Sequence, residues 1–125
     1  MTKATETTGC TQRCCAGKHY FCSVELALQV IGGKWKPIIL WHLRTGERQR
    51  FGELKRHMPN VTQKMLTQQL RELEADGMVL REIYAQIPPR VEYSLTDLGR
   101  SVLPILDQLS RWGTLFEAEF VERAV

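Results

Sequence analysis

All four cysteines of this 125-residue chain, Cys10, Cys14, Cys15 and Cys22, fall within 13 residues, and none follows. With His19 they read C-x3-C-C-x3-H-x2-C. Thiolates react with oxidants and electrophiles, and thiolates with imidazole are also soft ligands that hold zinc tetrahedrally. Both chemistries are open to this cluster. Cys22 directly precedes an apolar run that predicts a helix from about Ser23. A helix N-terminus favours the thiolate, because its free N–H groups and dipole stabilise an anion. Lys18 and His19 would add positive potential. Cys22 is therefore the candidate redox-sensing residue, with Cys10, Cys14, Cys15 or a cysteine of a second subunit as resolving thiol. The metal alternative uses Cys10, Cys14, Cys15, His19 and Cys22. It lacks C-x2-C knuckles, and adjacent cysteines make poor first ligand pairs, so no metal and no other cofactor is expected. His42 and His57 fall on predicted helices and read as structural.

A second set of side chains suits a different task. From Thr62 to Arg71 the chain holds no acid, whereas Glu72, Glu74 and Asp76 crowd the following turn and a half. Leu66, Leu70 and Leu73, with Met65, form one helical stripe. Gln63, Lys64, Thr67, Gln68 and Arg71 lie off it. Amides pair with adenine and cations with guanine in the major groove, and a groove-inserted helix reads bases with its first two turns. Gln63, Lys64, Thr67 and Gln68 are the candidate base readers, and Arg71 is better placed for phosphate. Lys34, Lys36, Arg50 and Lys55 are candidate phosphate clamps, and Arg90 is a candidate for phosphate or a narrow minor groove.

The charge distribution agrees. The net charge is only +3, but residues 32–71 carry nine Lys or Arg against two acids, and residues 72–125 carry five against ten. A basic segment beside an acidic one suits a module that offers one face to a polyanion and another to protein or solvent. The composition is ordinary for one globular domain, and no apolar run approaches the roughly 18 residues of a membrane span. The polar N-terminus does not read as a secretory signal, so a cytoplasmic location is expected, in which structural disulfides would be unusual. There is no nucleophile–base pairing, Gly-rich phosphate loop or paired-carboxylate pattern, so an enzyme is not expected.

These side chains need a scaffold to hold them. Residues 1–18 are Thr-rich and aperiodic and are expected to be partly mobile; the arm with the cysteine cluster is taken as residues 1–21. A helix from Ser23, capped by its hydroxyl, is apolar nearly all round and predicted to be buried, ending at Gly32-Gly33. A second helix runs from about Lys34 to Arg44, with Pro37 tolerated in its first turn. A third spans Phe51–His57, and a fourth runs from its Thr62 cap to Asp76-Gly77. Two strands follow, Val79–Tyr84 and Arg90–Leu95, joined by a tip at Ala85–Pro89. Thr96-Asp97 then caps a last helix. Leu98, Val102, Ile105, Leu109, Trp112, Phe116 and Phe120 step along it as a heptad-like seam, predicted to be a dimer core, with a kink at Pro104. The fold class is thus mainly α with a small β-hairpin: a winged helix-turn-helix with N- and C-terminal dimerisation helices.

Specific segments go further. CSVELALQVIGGKWKPIILWHL, RFGELKR, VTQKMLTQQLRELEADGMVLR and PPRVEYSLTDLGRSVLPIL together strongly resemble the HxlR-type transcriptional regulators, small dimeric bacterial winged-helix proteins. The resemblance spans about residues 22–113, and it assigns residues 22–125 to one DNA-binding and dimerisation domain. It implies a homodimer with two recognition helices and two wings, and control of neighbouring genes. Several members sense oxidants or electrophiles through a cysteine just before the first helix, the position of Cys22. Many relatives place Pro after that cysteine where this chain has Ser23, and Cys10, Cys14 and Cys15 are not part of the shared pattern. The expected partner is double-stranded DNA, a pseudo-palindromic operator, with a small electrophile or oxidant as effector. A ligand- or metal-responsive regulator of the same fold, or a winged-helix protein-interaction module, are the alternatives.

Overall fold

The computed structural model describes residues 12–121. Its first element is a hairpin, β1 (Arg13–Cys15) and β2 (Lys18–Tyr20), in register Cys14 opposite His19 and Cys15 opposite Lys18. Ala16 and Gly17 both take positive φ, the signature of a tight two-residue turn whose twist matches its strands. The part of the N-terminal arm expected to be mobile is, from Arg13 on, a folded strand pair. Tyr20 is buried, Arg13 stacks over its ring at 5.0 Å, and Lys18 pairs with Asp76 at 3.3 Å. Alternation over three residues is too short a pattern to read in sequence.

Helix α1 (Ser23–Ile31) is capped by Cys22 rather than Ser23, and without a side-chain hydrogen bond; the Cys22 carbonyl accepts from Leu26 N–H. The prediction that this helix is buried does not hold within one chain: Val24 and Leu28 are largely exposed, and only Ile31 is fully inside. Helices α2 (Trp35–His42) and α3 (Phe51–His57) flank a short strand, β3 (Gln49–Arg50), which the sequence reading missed. Helix α4 (Gln63–Ala75) starts on Thr62, whose hydroxyl accepts from Met65 N–H at 3.0 Å. It ends at Gly77, whose φ of 78° is open to glycine at little cost.

Strands β4 (Val79–Tyr84) and β5 (Arg90–Leu95) have the predicted bounds and pair antiparallel, Val79 opposite Leu95 and Tyr84 opposite Arg90. β3 adds to the free side of β5, so the wing is a three-stranded sheet in the order β3-β5-β4. Thr96 caps α5 (Asp97–Arg100), accepting from Gly99 N–H and donating to the Gly77 carbonyl, which pins the wing's end to the end of α4. A Cβ on buried Gly99 would stand 2.1 Å from the Met78 carbonyl oxygen, so only glycine permits this approach.

The last helix is not one kinked rod. The chain breaks at Ser101-Val102 and restarts as α6 (Leu103–Val121), which puts Pro104 in a first turn where its missing N–H is no loss. The core consists of Ile39, Leu40 and Leu43 of α2, Leu54 of α3, and Leu66, Leu70 and Leu73 of α4, with Met58, Val61, Met78 and Leu95 from the connections and sheet. Met65, predicted to be inward, is partly exposed.

Candidate nucleic-acid interface

Burying the Leu66–Leu70–Leu73 stripe turns the opposite face of α4 outward. Gln63, Lys64, Thr67, Gln68 and Arg71 line one open concavity there, as the sequence reading grouped them. Thr67 Oγ1 donates to the Gln63 carbonyl at 2.9 Å, and the Gln68 amide donates to Glu72 at 3.2 Å. Lys64 and Arg71 are exposed, with no ion pair among the described residues.

The acids that end α4 are each neutralised by a cation from another element. Glu72 takes Lys36 of α2 at 2.6 Å, Glu74 takes Arg81 of β4 at 3.3 Å, and Asp76 takes Lys18 of β2. Hydrogen bonding from Lys36 holds the Glu72 carboxyl below the usual range, against a smaller opposing effect of desolvation. The positive potential of the N-terminal half of α4 is therefore not cancelled by its own C-terminal half.

This pairing removes one predicted clamp. Lys36 is buried and committed to Glu72, so it ties α2 to α4 and is not available to a phosphate. Lys34 stands over the Trp35 ring at 4.7 Å. Lys55 and Arg50 make no ion pair among the described residues; the Arg50 N–H donates to Glu53 at 2.7 Å, which starts α3. Arg56, passed over in the sequence, is exposed on α3. The buried i, i+4 pair Leu54 and Met58 could have signalled that orientation.

On the wing, Arg90 lies over the Tyr84 ring at 4.5 Å, with its Nε 3.3 Å from Glu92. That Nε makes no well-directed hydrogen bond, so the contact is Coulombic. Arg90 is thus folded back along the strands instead of projecting from the tip. Arg48, also unassigned, braces the wing through Glu82 at 2.9 Å and the Tyr84 hydroxyl.

Cys14, Cys15 and Cys22 are free and exposed, and Cys10 lies outside the described residues. Adjacent strand residues face opposite sides, so Cys14 and Cys15 diverge. Lys18 is engaged with Asp76, and the His19 carbonyl accepts from Gln29. Among the described residues no three Cys, His, Asp or Glu side chains converge as a metal site.

The seam predicted for α6 is also sorted by the fold. Val102 is buried in the chain's own core, while Leu98, Ile105, Leu109, Trp112, Phe116 and Phe120 remain half-exposed. Trp112, Phe116 and Phe120 stack in succession along that face, at 5.5 and 4.8 Å between ring centroids.

With helix-turn-helix and wing both in place, comparison with known proteins becomes informative. The family model described as HxlR-like helix-turn-helix matches residues 30–120. The chain belongs to this family. Its relatives include YtcD of Bacillus subtilis (strain 168), an uncharacterized HTH-type transcriptional regulator. It is 62% identical over 96 residues, covering 77% of this chain and 75% of YtcD. Among solved structures, the redox regulator HypR in its oxidized form is 57% identical with a TM-score of 0.71, covering 74% of this chain and 95% of that one. The reduced form of the transcriptional regulator YodB from B. subtilis is 30% identical with a TM-score of 0.65, covering 76% and 93%. This HxlR chain is accordingly a helix-turn-helix transcriptional regulator with the winged-helix fold of these neighbours. Among its described residues, no helix is long and apolar enough to cross a membrane.

Proposed function

We propose that this HxlR regulator acts in the cytoplasm as a homodimer that binds a pseudo-palindromic operator in double-stranded DNA, and that oxidants or electrophiles tune it through Cys22. One observation carries the DNA reading. A single exposed helix face holds two amides, a hydroxyl and two unpaired cations, and every acid on that helix is neutralised from elsewhere. Gln63, Lys64, Thr67 and Gln68 would meet base edges, and Arg71, Arg50 and Lys55 the phosphates. The outward apolar face of α6 supports pairing of two copies, which would set two α4 helices about one DNA turn apart.

For Cys22, support comes from its place as N-cap of α1, its exposure, and the naming of HypR as a redox regulator. An oxidant would take two electrons from two thiols, closing a disulfide between Cys22 and Cys10, Cys14, Cys15 or a thiol of the second copy, with loss of two protons. That bond would favour one dimer geometry over the other. Gln63→Ala should relax base preference at one operator position at a cost of about 1–3 kcal/mol. Diamide or hypochlorite should alter operator binding of the native chain but not of Cys22→Ser; an equal response of both would rule Cys22 out.

A further inference from the structure

Glu72 stands at the rim of the α4 concavity, and both oxygens of its carboxylate are taken, by two different elements. Oε1 receives the Lys36 ammonium at 2.6 Å, and Oε2 accepts from Nε2 of Gln68 at 3.2 Å. Lys36 belongs to α2, and its side chain is only 10% exposed, so its direction is set by the packing of α2 on α4. The Glu72 carboxyl, held low by Lys36, is ionised near neutral pH and can only accept. The exposed Gln68 amide must therefore turn its nitrogen toward Glu72, because the reverse orientation would set oxygen against oxygen. Its oxygen and one further N–H are left for the concavity that it lines. A free glutamine offers its amide to a base edge either way round. This one is aimed beforehand, by a carboxylate that a cation of α2 holds in place.

We infer that Lys36 is a positioning residue for base recognition: through Glu72 it fixes the Gln68 amide so that this side chain selects adenine and rejects guanine. The inference rests on the reading of α4 as the DNA-facing helix. Gln68 lies in the second turn of α4, within the reach of a groove-inserted helix to base edges. Adenine shows the major groove an N6 donor and the N7 acceptor, which meet the amide oxygen and the remaining N–H. Guanine shows O6 and N7, two acceptors, so the anchored oxygen would face O6 with no hydrogen between them. An unanchored amide could turn over and give guanine its N–H groups, so rejection of guanine depends on the anchor. Ordering this long side chain in advance also removes rotamer freedom that the base contact would otherwise have to remove. The acid at the rim thus orients a base reader, and Lys36 neutralises the charge that would repel phosphate.

The test begins with duplexes selected from a random pool by the native full chain; Gln68→Ala then identifies the base pair that Gln68 reads. Fluorescence anisotropy compares duplexes with adenine or guanine at that position. The native chain should favour adenine roughly tenfold. Lys36→Met should bring the ratio to within about twofold of the Gln68→Ala value, with preferences at the other positions unchanged. Glu72→Gln should go further and shift the ratio toward guanine. Lys36 would hold the oxygen of the introduced amide, its N–H would face Gln68, and the Gln68 amide would turn over. A native ratio in Glu72→Gln overturns the proposal, whether or not Lys36→Met folds. So does a folded Lys36→Met that weakens binding to both duplexes equally. If Gln68→Ala leaves every base preference intact, the proposal fails while α4 still reads DNA through its other side chains. If the native chain enriches no duplex, the reading of α4 itself fails, and this inference with it.

Discussion

The ammonium of Lys36 lies 2.6 Å from Glu72 in a buried position, whereas Lys64 projects from α4 with no ion pair among the described residues. Their charges are equal, so their effects on operator binding separate cleanly. Arg71→Ala, which removes a phosphate contact, should weaken binding evenly across DNA sequences and lower the salt slope by about 1, whereas Lys64→Ala, which removes a base-edge contact, should relax preference at one operator position. Lys36→Met should leave that slope unchanged; fluorescence anisotropy across a salt series checks both. The Lys36–Glu72 contact should appear in acid stability instead. The carboxyl of Glu72 is held low in the folded state, so its contribution is full above the unfolded value of 4.5 and is lost as pH falls through the lowered folded one. Glu72→Gln should flatten that acid limb by about 1 kcal/mol or less, since Glu72 is 42% exposed and screened. Both lysines are visible as cations in the sequence. Which of them meets a carboxylate is set by the packing of α2 on α4, about 36 residues apart in the chain.

Between elements, α2 and α3 meet through His42 and His57, whose rings stack at 5.3 Å and 17°. Burial, then the charge of His57 and of Arg44, pushes His42 below its ordinary value of 6.5. The unfolded chain therefore takes up the proton first as pH falls. This contribution to stability is complete above about 6.5 and is lost below it, toward the lowered folded value. Thermal melts between pH 7.5 and 5 should show a shallower decline for His42→Gln than for the native chain. The junction of β4 with α5 gives a second expectation. Gly99→Ala forces apart the Met78 carbonyl and the α5 backbone and should cost about 1–3 kcal/mol, seen as a lower denaturant midpoint at unchanged slope. The bounds of α3, α4, β4 and β5 were readable because each carries several turns or alternations of pattern between clear breaks. The hairpin β1–β2 and strand β3 were not, since two or three residues hold no period and depend on partners outside themselves.

Taken whole, the chain leaves a long apolar surface uncovered: Phe21, Val24 and Leu28 near the start, and Ile105, Trp112, Leu115 and Phe116 toward the end. In the proposed homodimer this is the surface that the second copy would cover. Phe116→Asp should convert the regulator to a monomer in sedimentation equilibrium while leaving the helical spectrum of each copy intact. Operator affinity should then fall about a hundredfold or more, because the second half-site is no longer held at a high effective concentration. A variant that stays dimeric would move the interface away from α6. The heptad spacing identified this face, apart from Val102, which the break before α6 turns into the core.

By itself the sequence determined helices α1 to α4 and strands β4 and β5, the basic and acidic halves, and the outward polar set on α4, because periodicity and charge are local properties that survive any arrangement of the elements. It also held the family resemblance, which the matched residues 30–120 bear out. Tertiary structure decided which charges are spent and which are free: Lys36 on Glu72, Lys18 on Asp76, Arg90 over Tyr84. It likewise folded the cysteine-bearing arm into a hairpin and sent Cys14 and Cys15 to opposite faces. Those outcomes depend on which distant elements come into contact, and a side chain's availability is settled by its neighbours in space.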